Sequence, residues 1–405
     1  MGLQIAGSET RKVLSTSTGT ASLKVNKRRP PFRADVVGSF LRPERLKAAR
    51  EGLLGPQLPD TNLGPHDCAE LRAVEDECIR DVIRMQERIG LQAATDGEFR
   101  RRSWWLDLIM GWDGFSADRK GGTEMMWRNK QGVTQPFSRL WINGPIRWRP
   151  SATVRAFKFL KDNTVLVPKV TVPAPILIHM FAGGNKGILE GHYKDIDAFW
   201  EDVIAAYHQE IDALVRAGAT YIQFDDTSIA FLCDPLHRAT VQRWGSAPDE
   251  LLRVYARRMN EVLAAIPEHV TVTLHQCRGN REGSWAAEGG YDPVADVLFN
   301  AINVHGYFLE YDSERAGSFA PLRLLPKGKV VALGIMSSKA PELESVDELK
   351  RRINEATNYA SLEWLGVAPQ CGFASSIVGN PITEAAQEAK LARLVEVARE
   401  VWNDR

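Results

Sequence analysis

The sequence predicts an α/β protein built as a (β/α)8 barrel of the TIM type. Three observations carry this prediction. Short β-type runs alternate with amphipathic helical stretches from Phe32 onward. Eight such runs can be read, the number that closes a barrel. Nearly every run ends in a polar or metal-capable residue, as strands of an active barrel do at their C-terminal ends. An open, doubly wound sheet is the alternative with the same alternation.

Residues 1–31 read as a polar N-terminal arm, rich in Ser and Thr, with six Lys or Arg against the single Glu9. The arm has no apolar h-region, so no secretory signal is expected. It is expected to lie against the body or against a partner subunit of a homo-oligomer. Residues 32–405 are expected to form a single catalytic domain. Its first strand is Ala34–Phe40, followed by a helical pattern over Cys68–Ile89 and a second strand over Leu91–Glu98. Residues 99–164, rich in Trp, Arg and Gly, stand between the second and third strands as an insertion or lid.

The third strand is Leu166–Pro173, and the helix Asp195–Ala217 leads to the fourth, Ala219–Asp225. Pro248–Ala265 is helical and precedes the fifth strand, Val270–Cys277. Pro293–Ala301 is helical and precedes the sixth, Gly306–Tyr311. The seventh strand is Val330–Met336; a helix over Val346–Leu365 precedes the eighth, Gly366–Cys371, and Thr383–Trp402 closes the chain as a helix.

Composition narrows the function. The 405 residues carry 51 Lys+Arg and 51 Asp+Glu, so there is no basic surplus for nucleic acid, and 44% hydrophobic content excludes disorder. The apolar stretch from Val170 to Asn185 is too short and too broken by Pro and Gly to span a bilayer. Five cysteines fit a reducing, cytoplasmic setting better than a disulfide scaffold. No nucleophile elbow, Walker sequence or dinucleotide fingerprint is present.

The strand ends hold the chemistry. In His275-Gln276-Cys277, residues i and i+2 of a strand project to one side, so imidazole and thiol can converge. With Glu310 and Cys371 they make a His-Cys-Glu-Cys set suited to Zn2+, whose borderline softness favours N and S donors. The alternative is that both cysteines are buried thiols packed as small hydrophobes. Asp225 and Asp226 point to opposite sides of their strand, so one faces the pocket; the other reading of Asp226 is a helix cap. Glu98 either binds a substrate amine or pairs with Arg100, Arg101 or Arg102. Cys68, Cys78 and Cys233 read as helix-start and core residues, and Gly183-Gly184 as a plain loop.

The ordered set Val37-Gly38-Ser39-Phe40-Leu41-Arg42-Pro43, Thr95-Asp96-Gly97-Glu98, Ile222-Gln223-Phe224-Asp225-Asp226, His275-x-Cys277, Glu310 and Pro369-Gln370-Cys371-Gly372 resembles the catalytic domain of cobalamin-independent methionine synthase. The resemblance spans residues 32–402 and is greatest to single-domain relatives. It implies a barrel in which His275, Cys277, Glu310 and Cys371 bind zinc. Glu98 and Asp225 would hold the homocysteine amino group and Ser39 its carboxylate, with methyltetrahydrofolate as a donor. Three positions depart from the family. His179 stands where an indole lines the folate pocket, Met336 where a histidine delivers a proton, and Asp226 where the synthase has Glu. These departures leave two alternatives: a methyl donor other than methyltetrahydrofolate, or another acid in place of the missing one, for which His179 is the imidazole best placed. Arg278 and Arg281, beside the metal set, would suit the acidic group of a thiol in a reaction like that of epoxyalkane:coenzyme M transferase. A zinc-stabilised scaffold without catalysis is the remaining reading, and it predicts no acids in a shared cavity.

Overall fold

The computed structural model describes residues 30–56, 65–116 and 122–403. The N-terminal arm up to residue 29 lies outside the described residues. The helix Ala69–Ile89 leads into β1 (Ala93–Ala94). A peripheral group follows: β2 (Asp113–Ser116), β3 (Gly122–Asn129), β4 (Gly132–Ser138) and β5 (Trp141–Arg147). β3 and β4 form a hairpin, and β2 pairs antiparallel with β5. The barrel resumes with β6 (Val167–Pro168), β7 (Val170–Pro173), β8 (Tyr221–Asp226), β9 (Thr271–Gln276), β10 (Gly306–Glu310), β11 (Val330–Met336) and β12 (Leu365–Pro369).

β7 to β12 form one parallel sheet in sequential order, and β1 pairs in parallel with β6. The ring closes through the segment after Phe32. Asp35 N–H donates to Val367 O at 3.1 Å on one side, and Phe40 N–H donates to Gly97 O at 3.1 Å on the other. The chain is thus a (β/α)8 barrel. The predicted first strand, Ala34–Phe40, is reduced to a bridge between Ala34 and Val367, because its later residues turn away to shape the mouth of the barrel.

β7, β8, β9, β10 and β12 are buried along their whole length, as expected of parallel strands covered by helices. Inside the ring, Val37, Phe308, Ala332 and Ala368 pack together. Below the mouth, Lys169 Nζ lies 3.2 Å from Asp35 Oδ1 and 3.9 Å from the Phe308 ring centroid. Among the described residues no helix is long and apolar enough to cross a membrane.

The expected second strand, Leu91–Glu98, is reduced to Ala93–Ala94, the third is split into β6 and β7, and two helical stretches also differ from the sequence reading. The stretch 99–164 is not all insertion: Ala152–Asn163 is a helix packed on Ala69–Ile89 and Ile196–Arg216. Ser151 caps it, its hydroxyl accepting the Thr153 N–H at 2.9 Å. The helix expected over Val346–Leu365 stops at Ala356. There Thr357 Oγ1 donates back to Asn354 O at 2.6 Å, and a 3-10 turn, Leu362–Trp364, hands the chain to β12.

Candidate active site

Each barrel strand delivers its last residues to the C-terminal mouth, and three of them meet. The ring nitrogens or sulfurs of His275, Cys277 and Cys371 all lie within 4.8 Å of one another. Cys277 Sγ and Cys371 Sγ are 3.3 Å apart with both cysteines free. A tetrahedral ion with bonds of roughly 2.0–2.3 Å spaces its ligand atoms by roughly 3.3–3.8 Å, so the donor set fits such an ion.

Local bonding prepares the donors. His275 Nδ1–H donates to Phe308 O at 3.1 Å, which fixes the tautomer and leaves Nε2 as a lone pair. That Nε2 is buried and has no hydrogen-bond partner among the described residues. Gly279 N–H donates to Cys277 Sγ at 3.3 Å. The hydrogen bond from Cys277 holds Cys371 well below the ordinary thiol range, and the same contact drives Cys277 well above it.

Glu310, expected as the fourth ligand, stands outside this trio. Its Oε1 accepts the Arg278 N–H at 2.6 Å. Its Oε2 makes no hydrogen bond and lies 3.6 Å from Arg315 and 3.9 Å from Lys339.

The acids share the cavity with the trio: Ser39, Glu98, Asp225, His275, Cys277 and Cys371 line one pocket. Glu98 sits in the left-handed region at φ +60°, a conformation that costs free energy and needs support. Asp96 Oδ1 accepts its N–H at 2.9 Å, and Arg42 donates to its carbonyl at 2.8 Å. Glu98 Oε1 accepts from the Thr171 hydroxyl at 2.8 Å, whereas the buried Oε2 has no partner. Burial raises the Glu98 carboxyl above the ordinary range. Asp225 accepts from Gln223 Nε2 at 2.7 Å and is pushed up to about 7, chiefly by burial. Ser39 packs so tightly on Gly372 that a Cβ there would lie 2.0 Å from Ser39 Oγ.

Other expectations are corrected. His179 lies in the buried helix Pro175–Ala182, away from the cavity, with Nδ1 bonded to Tyr255 Oη at 2.8 Å and Nε2 to Asn185 Oδ1 at 2.9 Å. Burial lowers its pKa to about 4, so it is a neutral core imidazole and not a proton donor to the site. The Arg278 guanidinium turns away from the pocket, stacking 4.0 Å from the Tyr291 ring centroid and donating to Gly289 O at 2.7 Å. Arg281 is the arginine that lines the pocket. Met336 is fully buried and does not reach the cavity. Asp226 takes the capping role: its oxygens accept the N–H groups of Ser228 and Ile229, each at 2.9 Å.

Sequence reasoning missed the aromatic wall. Trp104, Trp105, Trp127, Phe137 and Phe181 line the same pocket. The Trp-rich composition of the insertion was the available signal, but composition does not say which way the rings face.

A barrel whose mouth joins a His-Cys-Cys trio able to hold a metal to two buried acids has the make-up of a group-transfer enzyme. Comparisons with known proteins narrow the class. The family model for the catalytic domain of cobalamin-independent synthase matches residues 178–400. The uncharacterised Bacillus subtilis protein YxjG is 37% identical, over 96% of this chain and 100% of its own length. A Pyrococcus abyssi methionine synthase is 26% identical, over 85% of this chain and 87% of its own. A solved Listeria monocytogenes structure, assigned as a vitamin-B12-independent methionine synthase, superposes with TM-score 0.71 at 30% identity, covering 93% of this chain and 100% of that one. The chain belongs to the cobalamin-independent methionine synthase family, as a methyltransferase with that family's barrel.

Proposed function

We propose that the protein is a zinc-dependent thiol methyltransferase whose acceptor is homocysteine. The observation that carries this reading is a single cavity holding both the His275–Cys277–Cys371 trio and the carboxyls of Glu98 and Asp225. A structural metal site would have no need of the acids.

Zinc held by His275, Cys277 and Cys371, with Glu310 within reach as a fourth donor, would lower the pKa of a substrate thiol so that it reacts as a nucleophile at neutral pH. The chain's own residues then do the positioning. Glu98 Oε2, buried and unpartnered, receives the ammonium group of the amino acid, and Asp225 receives a second of its N–H bonds. Ser39, pinned against Gly372, addresses the carboxylate. Arg42 and Arg101 hold Glu98 from behind, Arg101 at 3.6 Å from its Oε1. The aromatic wall excludes water from the sulfur. The free cysteines and the small-molecule substrates fit a cytoplasmic enzyme.

The test is homocysteine binding by calorimetry. Glu98→Gln and Asp225→Asn should keep their zinc yet bind homocysteine about ten- to a hundredfold more weakly, the value of a charge-assisted bond to a buried ammonium. Undiminished affinity in both variants contradicts the assignment. A second reading, alkylation of a sulfonated thiol by an epoxide, draws on Arg281 at the cavity wall. Tighter binding of a sulfonated thiol than of homocysteine would favour it.

A further inference from the structure

The aromatic wall bears on the identity of the methyl donor. Its rings come from three separate parts of the chain: the turn after Glu98, the β3–β4 hairpin and the helix Pro175–Ala182. Trp127 and Phe137 stack with centroids 4.4 Å apart and planes 15° apart. Phe137 lies 5.8 Å from Phe181, which Trp105 meets edge-on at 4.9 Å. Trp127 stands beside the thiols. A Cβ built on Gly279 would come 3.0 Å from Trp127 Cζ3, and the Gly279 N–H is the one that bonds Cys277 Sγ. The hairpin is fastened there by paired backbone bonds between Arg128 and Trp285, at 2.7 and 2.9 Å, and by an ion pair from Arg128 to Asp234.

The second observation is what the cavity lacks. Among the described residues that line it, His275 is the one imidazole, and its lone pair belongs to the metal trio. His179 and Met336 are both buried elsewhere. A neutral methylamine such as a reduced pterin must take up a proton before it leaves, and in the reading above the two carboxyls of the cavity, Glu98 and Asp225, are engaged by the acceptor's ammonium group. A methylated cation leaves as a neutral molecule and needs no proton. Aromatic faces, with their negative quadrupoles, attract such cations.

We propose that the methyl donor is an onium cation, a sulfonium or quaternary ammonium group bearing methyls, held against Trp127 and its neighbours. The proposal rests on the thiol-activating reading above and names the partner substrate of that site. In the transfer, a bond forms between the acceptor sulfur and the methyl carbon, and the carbon–onium bond breaks. Its electron pair stays on the departing sulfide or tertiary amine. The acceptor's proton has already gone to solvent when the thiol ionised, so no group of the cavity has to supply one.

The experiment uses zinc-loaded full-length protein and tryptophan fluorescence titrations with trimethylsulfonium, tetramethylammonium and, as a neutral match in size, tert-butanol. The cations should bind about tenfold more tightly than the alcohol. Trp127→Leu should cost the cations about tenfold while leaving the alcohol and the zinc content unchanged, and Trp127→Phe should stay within about threefold of wild type. Deuterated methyl groups from either cation should then appear on homocysteine by mass spectrometry. Label from one cation alone identifies which onium is used. Equal binding of cations and alcohol, equal losses for both in Trp127→Leu, or label passing from neither cation overturns the proposal. If homocysteine is methylated by methyltetrahydrofolate alone, only the donor assignment falls. Absence of zinc or of homocysteine binding would remove the thiol-transfer reading itself.

Discussion

Ser39 and Gly372 face each other across the mouth with no room to spare, and the contact makes a sharp test of the site. Gly372→Ala would place its Cβ 2.0 Å from Ser39 Oγ and 3.2 Å from Ser39 Cβ. Overpacking of this kind costs about 1–3 kcal/mol. Gly372→Ala should therefore lose stability by that amount in denaturant unfolding, and the added change Ser39→Ala should recover most of it. A single variant as stable as wild type would mean that the mouth is looser than described. His179 gives a contrasting case. His179→Ala strands the buried Tyr255 hydroxyl, at a cost of about 1–3 kcal/mol when left unpaired, and removes the partner of the exposed Asn185. The variant should unfold more readily, yet the protein that remains folded should transfer methyl groups with an unaltered pH profile. A change confined to the pH profile would return His179 to the chemistry.

Between elements, one buried carboxyl ties the end of the peripheral insertion to the barrel. Trp148 Nε1 donates to Glu210 Oε2 at 2.7 Å, Glu210 being carried by the helix Ile196–Arg216. Burial raises the Glu210 carboxyl from 4.5 to about 7. Because the folded value is the higher one, the stabilisation is complete below the unfolded pKa and is lost as pH rises through 7. Glu210→Gln should therefore gain melting temperature relative to wild type between about pH 5 and pH 8. A gap that stays constant with pH would show that Glu210 ionises as freely in the folded chain as in the unfolded one. The elements also show what a sequence can disclose. His275 and Cys277 were legible because strand alternation alone puts them on one side, and the ends of the later strands mark the mouth. Cys371, 94 residues beyond Cys277, could be joined to them only through the barrel topology and the family resemblance. Glu310 was legible as a strand-end carboxylate, but its contacts with Arg278, Arg315 and Lys339 are ones that no spacing reveals. The helix Pro175–Ala182 was invisible for a different reason. It is buried on every side, so it shows no alternation of polar and apolar faces.

At the scale of the whole molecule, the ring of strands brings six residues from five stretches of chain into one cavity: Ser39, Glu98, Asp225, His275, Cys277 and Cys371. The family relation makes methyl transfer the activity of this barrel, and the account adds to it a zinc ion held by the trio. Metal content tests that addition most directly. Protein purified without chelators should carry about one zinc per chain by elemental analysis. Cys277→Ser and Cys371→Ser should each lose most of it while retaining wild-type circular dichroism. Folded wild-type protein with no zinc, or two serine variants that keep all of theirs, would contradict the account.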